Sequence, residues 1–268
     1  MFYSIKFNGG EFLKSDLIPF PHAFSTRSGG VSTIPHLASM NVALNRGDEE
    51  VNVRENRRIL ANAAGATEQI VYASQIHSST VAYVEYGTEI PENGLNLGSL
   101  DGIVSADPSL TLLVKTADCA PILLCDSETG IVAAVHAGWR GTAAGIAAEA
   151  VRVMAAHGSL PANIRAAIGP CIHACCFEVG EDLREAVIAL RGSDFASRHI
   201  GESEDTLHAD IVAMNCELLL EAGIPLSNID LCPLCTCCEP NRFHSHRASK
   251  GNRGTMGAVI SALKIRLN

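Results

Sequence analysis

Three residues of the types that bind zinc stand where strand-like runs of the chain end. His136 ends the apolar run "GIVAAV" and begins the turn "HAGWRG". Cys119 lies in "TADC" and His77 in "SQIH", each between two strand-like segments. In layered α/β folds the ends of strands face the crevice in which ligands bind, so the three side chains can meet there. Two histidines and a cysteine can form a zinc site whose fourth position stays open to water or substrate.

Residue types and spacing leave two other interpretations open. The three residues form no compact spacing motif, and they can equally be unrelated polar residues in turns. Cys119 and His136 can also form a nucleophile–base pair, in which the imidazole lowers the pKa of the thiol. That pair would make the protein a cysteine hydrolase or acyl transferase and would leave His77 without a role.

The turn after His136 offers a possible anion site. A helix predicted to begin at about Thr142 would present unpaired N–H groups and the positive end of its dipole. Arg140, at the mouth of this turn, could bind a phosphate through two hydrogen bonds. It can equally be a surface arginine beside an ordinary turn.

Short apolar runs alternate with helical patterns along the chain. The runs are rich in Val, Ile and Leu and are bounded by Gly, Pro or Asp, which predicts strands. The predicted strands are 22–25, 70–73, 79–84, 110–116, 120–125, 131–136, 164–168 and 229–232. The predicted helices are 51–64, 142–157, 181–191 and 209–222, followed by the cap residues Gly65, Gly158, Gly192 and Gly223. This alternation predicts an α/β layered sandwich with a mixed sheet, in one domain spanning residues 1–268.

Composition limits the class of partner. Of the 268 residues, 47% are hydrophobic and 18% are charged, which is typical of an ordered globular protein. A formal net charge of −9 argues against nucleic acid or an anionic membrane as partner, so an anionic substrate needs a local basic site. The sequence shows no signal-peptide pattern and no apolar run of the roughly 20 residues that span a membrane. We therefore expect a cytoplasmic protein whose ten cysteines are thiols or metal ligands.

Several segments together resemble the YfiH-type family, whose members are also called laccase-domain proteins, multicopper polyphenol oxidases and peptidoglycan editing factor. The segments are "HAFSTRSGGVS", "SMNVALNRGDEEVNVRENRRIL", "SQIHSSTV", "LDGIVS", "TADCAPILL", "VHAGWRGT" and "IGPCIHACCFEVG". They run from about residue 22 to 247. "TADC" together with "HAGWRG" at this separation is a specific signal.

The resemblance implies the family's α/β sandwich and a zinc-containing purine nucleoside phosphorylase that also deaminates adenosine and cleaves methylthioadenosine. The substrates would be purine nucleosides (adenosine, inosine, guanosine) and inorganic phosphate. By motif position the resemblance implies zinc ligation by His77, Cys119 and His136. We infer roles in holding phosphate or substrate for Arg27, in "STRSGG", and for Arg140, in "HAGWRG".

The family's other names suggest two rival functions. One is a copper-dependent polyphenol oxidase, although the many histidines expected for multi-copper oxygen reduction are not apparent in the sequence. The other is a non-catalytic factor in the quality control of peptidoglycan precursors. Turnover of nucleosides by the zinc-loaded protein would separate both from the nucleoside enzyme.

The C-terminal part departs from the family pattern. "CTCCEPNRFHSHR" has His244 and His246 where the family more often carries aromatic residues. This region could suggest a structural zinc, but it lacks a second CxxC pair at a useful distance, so we do not predict one. Its candidate ligands would be Cys232, Cys235, Cys237, Cys238, His244 and His246. The other cysteines of interest, Cys171, Cys175 and Cys176, are predicted to be packed thiols.

Two aspartates have alternative roles. Asp210 lies where a predicted helix should begin and is expected to cap its N-terminus. Asp118, beside Cys119, can orient a ligand, act as an acid–base group or cap the turn, and the sequence does not decide between these.

Overall fold

Two large β-sheets pack face to face in the computed structural model, which describes residues 1–203 and 205–263. The sheets enclose an apolar core, and helices cover both outer faces. The single domain predicted for residues 1–268 stays a prediction. Residue 204 and residues 264–268 lie outside the described residues.

Within the described residues, the first sheet has seven strands and mixes parallel and antiparallel pairs. In spatial order they are β1 (Phe2–Phe7), β2 (Gly10–Ser15), β3 (His22–Ser25), β16 (Met256–Ser261), β8 (Thr111–Thr116), β4 (Ile70–Tyr72) and β6 (Leu95–Asn96). β4 runs parallel to both of its neighbours, and the other pairs are antiparallel.

The second sheet has six described strands and is also mixed. In spatial order they are β15 (Ile229–Leu231), β11 (Ile164–Ile168), β9 (Ala120–Asp126), β10 (Val132–Ala137), β7 (Gly102–Ser105) and β5 (Val81–Val84). The outermost pair at each edge is parallel, and the inner pairs are antiparallel. A small antiparallel sheet contains β12 (Glu178–Val179), β14 (Thr206–Ala209) and β13 (Ile200–Ser203).

Helices form the two outer layers. The α-helices are α1 (Glu50–Ala64), α2 (Trp139–Ala143), α3 (Ile146–Ala156), α4 (Glu181–Arg191), α5 (Ser193–His199) and α6 (Ile211–Glu221). Short 3₁₀ turns occupy Leu44–Arg46, Pro161–Asn163 and Leu226–Asn228. α1 packs on the outer face of the first sheet, and α3 and α6 pack on the outer face of the second. The order of layers is therefore helix, sheet, sheet, helix, which confirms the predicted α/β layered sandwich.

β9 and β10 form the centre of the second sheet, and every one of their residues is buried. Successive side chains point to opposite faces, so Leu123 and Ala134 pack toward the first sheet. Leu124 and Val135 pack toward the helices. Because both faces of these strands are covered, their sequences are continuous apolar runs in which apolar and polar residues do not alternate. Such runs predict buried strands directly.

The predicted helix 142–157 is wrong in its start and its continuity. The helix begins at Trp139, and Gly145, with φ of 86°, separates α2 from α3. The N–H of Thr142 donates to the carbonyl of Gly138 inside α2, so the predicted anion-binding helix start at Thr142 does not exist. Arg191 packs over Gly145 and donates through Nε to the carbonyl of Ala143 at 2.8 Å.

The predicted cap at Gly192 also differs from the structure. Its φ of 88° is positive, but its ψ of 163° is extended, and it joins α4 directly to α5. Several strands were not predicted, among them the fully buried β16, whose six residues "MGAVIS" include few of the large β-branched residues that signal a strand. Among the described helices, none is both long and apolar enough to cross a membrane.

Candidate metal and anion site

The candidate site lies where the chain crosses from the first sheet to the second. One crossing joins β4 to β5 and carries His77, and another joins β8 to β9 and carries Cys119. His136 is the penultimate residue of β10, which pairs with β9 so that His136 opposes Pro121 and Ala137 opposes Ala120. This pairing places the end of β10 beside Cys119.

The structure brings the three predicted metal ligands together. One ligand atom from each of His77, Cys119 and His136 lies within 4.8 Å of the others, as a single bound ion would require. Cys119 Sγ is 3.8 Å from His77 Nε2, and the two imidazole rings lie edge to face with centroids 4.9 Å apart. His136 is buried while His77 is exposed, so solvent reaches the group from the His77 side.

Asp101 positions both histidines. Its carboxylate is fully buried and accepts hydrogen bonds from His136 Nδ1 at 2.9 Å and from the backbone N–H of His77 at 3.0 Å. Further hydrogen bonds come from the N–H of Ile76 and from the N–H and hydroxyl of Ser78. These bonds hold His77 at a φ of 62°, which a histidine rarely adopts, and leave Nε2 of His136 directed to the site.

Asp101 was not among the predicted site residues, although it is the second residue of the segment "LDGIVS". The signal that could have found it is an acidic residue directly before a buried apolar strand, since a carboxylate in that position must be compensated by hydrogen bonds.

The charged groups of the site shift one another's pKa values. Burial alone would raise the pKa of Cys119, but the imidazoles of His136 and His77 lower it. Burial alone would lower the pKa of His136, but the Cys119 sulfur and the Asp101 carboxylate raise it. Burial would likewise raise the pKa of Asp101, but the hydrogen bonds from His136 and Ser78 lower it to about 2. Without a metal, the environment therefore favours a Cys119 thiolate beside a protonated His136. The thiolate is the form that binds metals, and a bound metal would displace the proton from Nε2 of His136.

Two glycines of "HAGWRG" leave room for the loop that carries His77. A Cβ on Gly138 would lie 2.6 Å from Cδ2 of His77 and 3.3 Å from the sulfur of Cys119. A Cβ on Gly141 would lie 2.6 Å from the carbonyl oxygen of Ser78. The close approach of this turn to the ligand loop therefore requires residues without side chains.

A cavity of about 350 Å³ opens beside the three ligands. Its volume falls within the range of small-molecule sites. The described residues that line it include four cations and no aspartate or glutamate. The cations are Arg46, Arg57, Lys115 and Arg253.

These cations have no acidic partner among the described residues. Arg57 Nε and Lys115 Nζ donate to backbone carbonyls, and the Nε atoms of Arg46 and Arg253 are buried without any partner. Burial lowers the pKa of Lys115 to about 8 and that of Arg253 to about 10. Arg57 is buried and the other three cations are half-buried, and positive charge withdrawn from water without a counter-ion is unfavourable, so the cavity is suited to an anion.

The two predicted phosphate-binding arginines lie elsewhere. Arg27 donates through Nη1 to the carbonyl of Pro240 at 2.7 Å and through Nε and Nη2 to that of Ala38. Arg140 is exposed and lies over the ring of Trp139, 4.1 Å from its centroid. Neither is among the residues that line the cavity, and their roles stay predictions. Arg46 and Arg253 were not predicted, because Arg46 ends a short 3₁₀ turn and Arg253 lies in a loop, and neither stands in a recognisable spacing.

The structure assigns contacts to both aspartates. Asp210 caps α6 as predicted, since its side chain accepts from the N–H of Ala213 at 2.9 Å. Asp118 accepts from the hydroxyl of Thr236 at 2.6 Å and from the N–H of Arg247 at 2.7 Å. These two hydrogen bonds link the turn that carries Cys119 to the loop between β15 and β16.

Comparisons with known proteins agree with this fold. The chain is 36% identical over 257 residues to a protein of Deinococcus radiodurans named purine nucleoside phosphorylase, covering 94% of this chain and 93% of that one. It is 36% identical over 239 residues to adenosine deaminase RL5 from an unknown prokaryotic organism, covering 87% and 90%.

Among solved structures, it is similar to the hypothetical protein YfiH of Bacillus licheniformis, with a TM-score of 0.82, 33% identity and coverage of 90% and 91%. It is also similar to YlmD of Geobacillus stearothermophilus, with a TM-score of 0.81, 28% identity and coverage of 94% and 96%. These likenesses confirm the resemblance inferred from the sequence motifs. Since residues 21–263 match the family described as multi-copper polyphenol oxidoreductase laccase, the chain belongs to that family.

Proposed function

We propose that the protein is a zinc-dependent purine nucleoside phosphorylase. The observation that carries this proposal is that the metal-ligand group opens onto a cavity with four cations and no acidic lining residue. Such a cavity suits a reaction in which inorganic phosphate must be held next to a polar, uncharged substrate. The relative from Deinococcus radiodurans that is named purine nucleoside phosphorylase supports the phosphorylase activity.

The donor set fits zinc. His77, Cys119 and His136 offer two nitrogens and one sulfur, and three protein ligands with one open position are typical of catalytic zinc. Asp101 supplies the carboxylate that usually orients a zinc-binding histidine. When bound, the ion would supply a fixed positive charge in the site.

Arg46 and Arg253 are the best-placed residues to hold phosphate. Each has a buried Nε atom without a partner, and a guanidinium can bind a phosphate through two parallel hydrogen bonds. In phosphorolysis, a phosphate oxygen forms a bond to C1′ of the ribose while the bond from C1′ to the purine nitrogen breaks. The purine departs with that electron pair and takes up a proton. The arginines would orient the attacking oxygen and keep the phosphate in place while this exchange occurs.

Adenosine deamination is a second candidate activity of the same site. It is favoured by the relative named adenosine deaminase RL5 and by a three-ligand group that leaves one position open. Deamination replaces the amino group of the purine by an oxygen from water and releases ammonia, so it needs no phosphate. Dependence on phosphate therefore separates the two reactions in one preparation.

The proposal is tested with purified protein whose metal content has been measured. The protein is incubated with adenosine, inosine or methylthioadenosine, with and without inorganic phosphate, and free purine and ammonia are quantified. We expect free purine and ribose 1-phosphate, or its methylthio analogue, only with phosphate, and ammonia from adenosine under both conditions. A zinc-loaded protein that converts no nucleoside would overturn the proposal and favour a non-catalytic role.

The phosphate site is tested by replacing Arg253 with alanine. Loss of a charge-assisted contact of about 1.5–3 kcal/mol should raise the phosphate concentration for half-maximal rate by about tenfold or more. Deamination should change much less, because it binds no phosphate. Arg184→Ala is a matched control, since Arg184 is paired with Glu181 on α4 and does not line the cavity. An equal loss of both activities in Arg253→Ala would indicate a structural role instead.

The rival functions predict other results. A copper-dependent oxidase would contain copper in stoichiometric amount and would oxidise phenols. A cysteine hydrolase using Cys119 and His136 would keep its activity after His77→Ala. The nucleoside enzyme should lose both zinc and activity in that variant, because a third of its ligand set is gone.

A further inference from the structure

Four cysteines from two separate loops meet at a second place in the molecule. Cys175 and Cys176 lie between β11 and β12, and Cys235 and Cys238 follow β15. Their four sulfur atoms all lie within 4.8 Å of one another. The sulfur of Cys238 is 3.5 Å from that of Cys175 and 3.4 Å from that of Cys176.

These distances suit a single tetrahedral ion. Sulfurs bound to zinc at about 2.3 Å in a tetrahedron are separated by about 3.8 Å. The observed arrangement needs only small side-chain adjustments to reach that geometry. A cluster of several irons would need the sulfurs farther apart, since the cluster itself has to fit between them.

We propose that Cys175, Cys176, Cys235 and Cys238 form a structural zinc site, separate from the group at the cavity. Cys235 and Cys238 have the C-x-x-C spacing found in structural zinc sites, and four thiolates with no open position are typical of such sites. The sequence alone did not predict it, because the second pair of ligands is adjacent in sequence and about 60 residues away.

The surroundings of the cluster favour bound thiolates. The backbone N–H of His173 donates to the sulfur of Cys235 at 3.4 Å. The guanidinium of Arg247 donates to the carbonyls of Cys176 and Glu178 at 3.1 and 2.8 Å. The guanidinium is thereby held against the backbone of the loop that carries Cys175 and Cys176, and four thiolates on one zinc ion would give the group two negative charges. Cys175 and Cys238 are exposed, so a metal ion can enter from solvent.

The proposed ion would join two loops that support the cavity. The loop after β15 carries Thr236 and Arg247, and both donate to Asp118 beside Cys119. The same stretch of chain continues to Arg253 in the cavity wall. Apart from the isolated bridge between Cys171 and Cys235, this stretch has no regular structure before β16, so a metal cross-link would stabilise it.

The proposal is tested first on the unmodified protein, purified without added metal. Elemental analysis should give two zinc ions per chain. Alkylation in denaturant with a chelator but no reductant should modify all ten cysteines. A disulfide within the cluster, detected as two unmodified cysteines in peptides from these loops, would overturn the proposal, and so would iron with acid-labile sulfide.

Matched variants then assign the ions to their sites. Cys238→Ser should lower the zinc content from two to one, whereas Cys237→Ser, one residue away and outside the cluster, should keep two. Cys119→Ser should also lower it to one, by emptying the other site. Unchanged zinc in Cys238→Ser would overturn the proposal.

Cobalt provides a readout that does not depend on the folding of Cys238→Ser or on nucleoside turnover. Cys119→Ser loaded with Co²⁺ should show the intense sulfur-to-cobalt absorption of a four-thiolate site, even if it converts no nucleoside. Absence of that absorption would overturn the second site while leaving the proposed function intact. Conversely, a protein with two zinc ions and no nucleoside activity would refute only the proposed function.

Discussion

Replacement of Asp101 by asparagine should weaken metal binding at the cavity without touching a ligand. The carboxylate accepts from Nδ1 of His136 and from the backbone N–H of His77, Ile76 and Ser78. An asparagine has one oxygen fewer, so its NH₂ group would face at least one of these N–H donors. The remaining oxygen can accept either from His136 and His77, which share Oδ1, or from Ile76 and Ser78, which share Oδ2. In either orientation the loop that carries His77 loses hydrogen bonds that position it.

The size of the effect follows from the role of such carboxylates. Loss of a partner that orients a metal-binding histidine typically lowers metal affinity by about 10- to 100-fold, or about 1.4–2.7 kcal/mol. We expect a change in this range, since Asp101 contacts two of the three ligand-bearing residues. The assay is competition for zinc against a chromogenic chelator of known affinity, in the variant and the parent protein.

Asp107→Asn is a matched control. Asp107 is also a buried carboxylate that accepts N–H bonds, from Gly87 and Ser109, but it lies beyond the other end of β7. Its replacement should lower the free energy of unfolding and leave zinc affinity at the cavity unchanged. If folded Asp101→Asn binds zinc within twofold of the parent protein, the inferred role of Asp101 is wrong.

Three further predictions follow from single residues. Gly138→Ala should reduce metal affinity and activity, because its Cβ would lie 2.6 Å from the ring of His77, and zinc titration measures this. Cys119 should alkylate slowly in the zinc-loaded protein and faster after chelation, because the metal shields its thiolate, and peptide mass spectrometry follows this. His22 should make stability fall as the pH drops from about 6.5 toward 4. Burial lowers its pKa to about 4, so the unfolded chain binds the proton first. The full loss below pH 4 is about 3 kcal/mol by linkage, and denaturant titrations of the parent protein and of His22→Gln measure it.

Each of these predictions can fail in a defined way. Unchanged zinc affinity in Gly138→Ala would show that the loop of His77 can move aside at little cost. Rapid alkylation of Cys119 in zinc-loaded protein, with loss of activity, would favour the cysteine nucleophile. An identical dependence of stability on pH in His22→Gln and in the parent protein would show that His22 is not the titrating group.

The sequence by itself was sufficient for the fold class and for selecting three residues that the structure brings together as a possible metal-ligand group. Strands such as β9 and β10 are buried on both faces, so their apolar runs are visible without any knowledge of their neighbours. His77, Cys119 and His136 stand at the ends of such runs, and the family motifs surround them. Apolar runs and short motifs were therefore enough to predict these strands and to select these three residues.

Local patterns misplaced the start of the helix after β10. Alanine-rich sequence from Thr142 onward reads as one helix, but the turn at Gly138 already begins it and Gly145 interrupts it. Gly138 allows the chain to pass close to His77, and Gly145 allows it to pass close to Arg191. Such contacts with distant residues leave no periodic pattern in the sequence.

Only the tertiary structure decided which charged and sulfur-bearing side chains share a site. Arg46 and Arg253 meet at the cavity because β16 lies at the centre of the first sheet and brings the C-terminal loop back beside the N-terminal half. Arg140 stands next to the ligand motif in sequence but stacks on Trp139 at the surface. Cys175 and Cys238 meet because β11 and β15 are parallel neighbours, whose following loops leave the sheet at the same edge. The order of strands in a sheet depends on packing between segments that are distant in sequence. Residue types and local spacing therefore could not predict which of these side chains lie together.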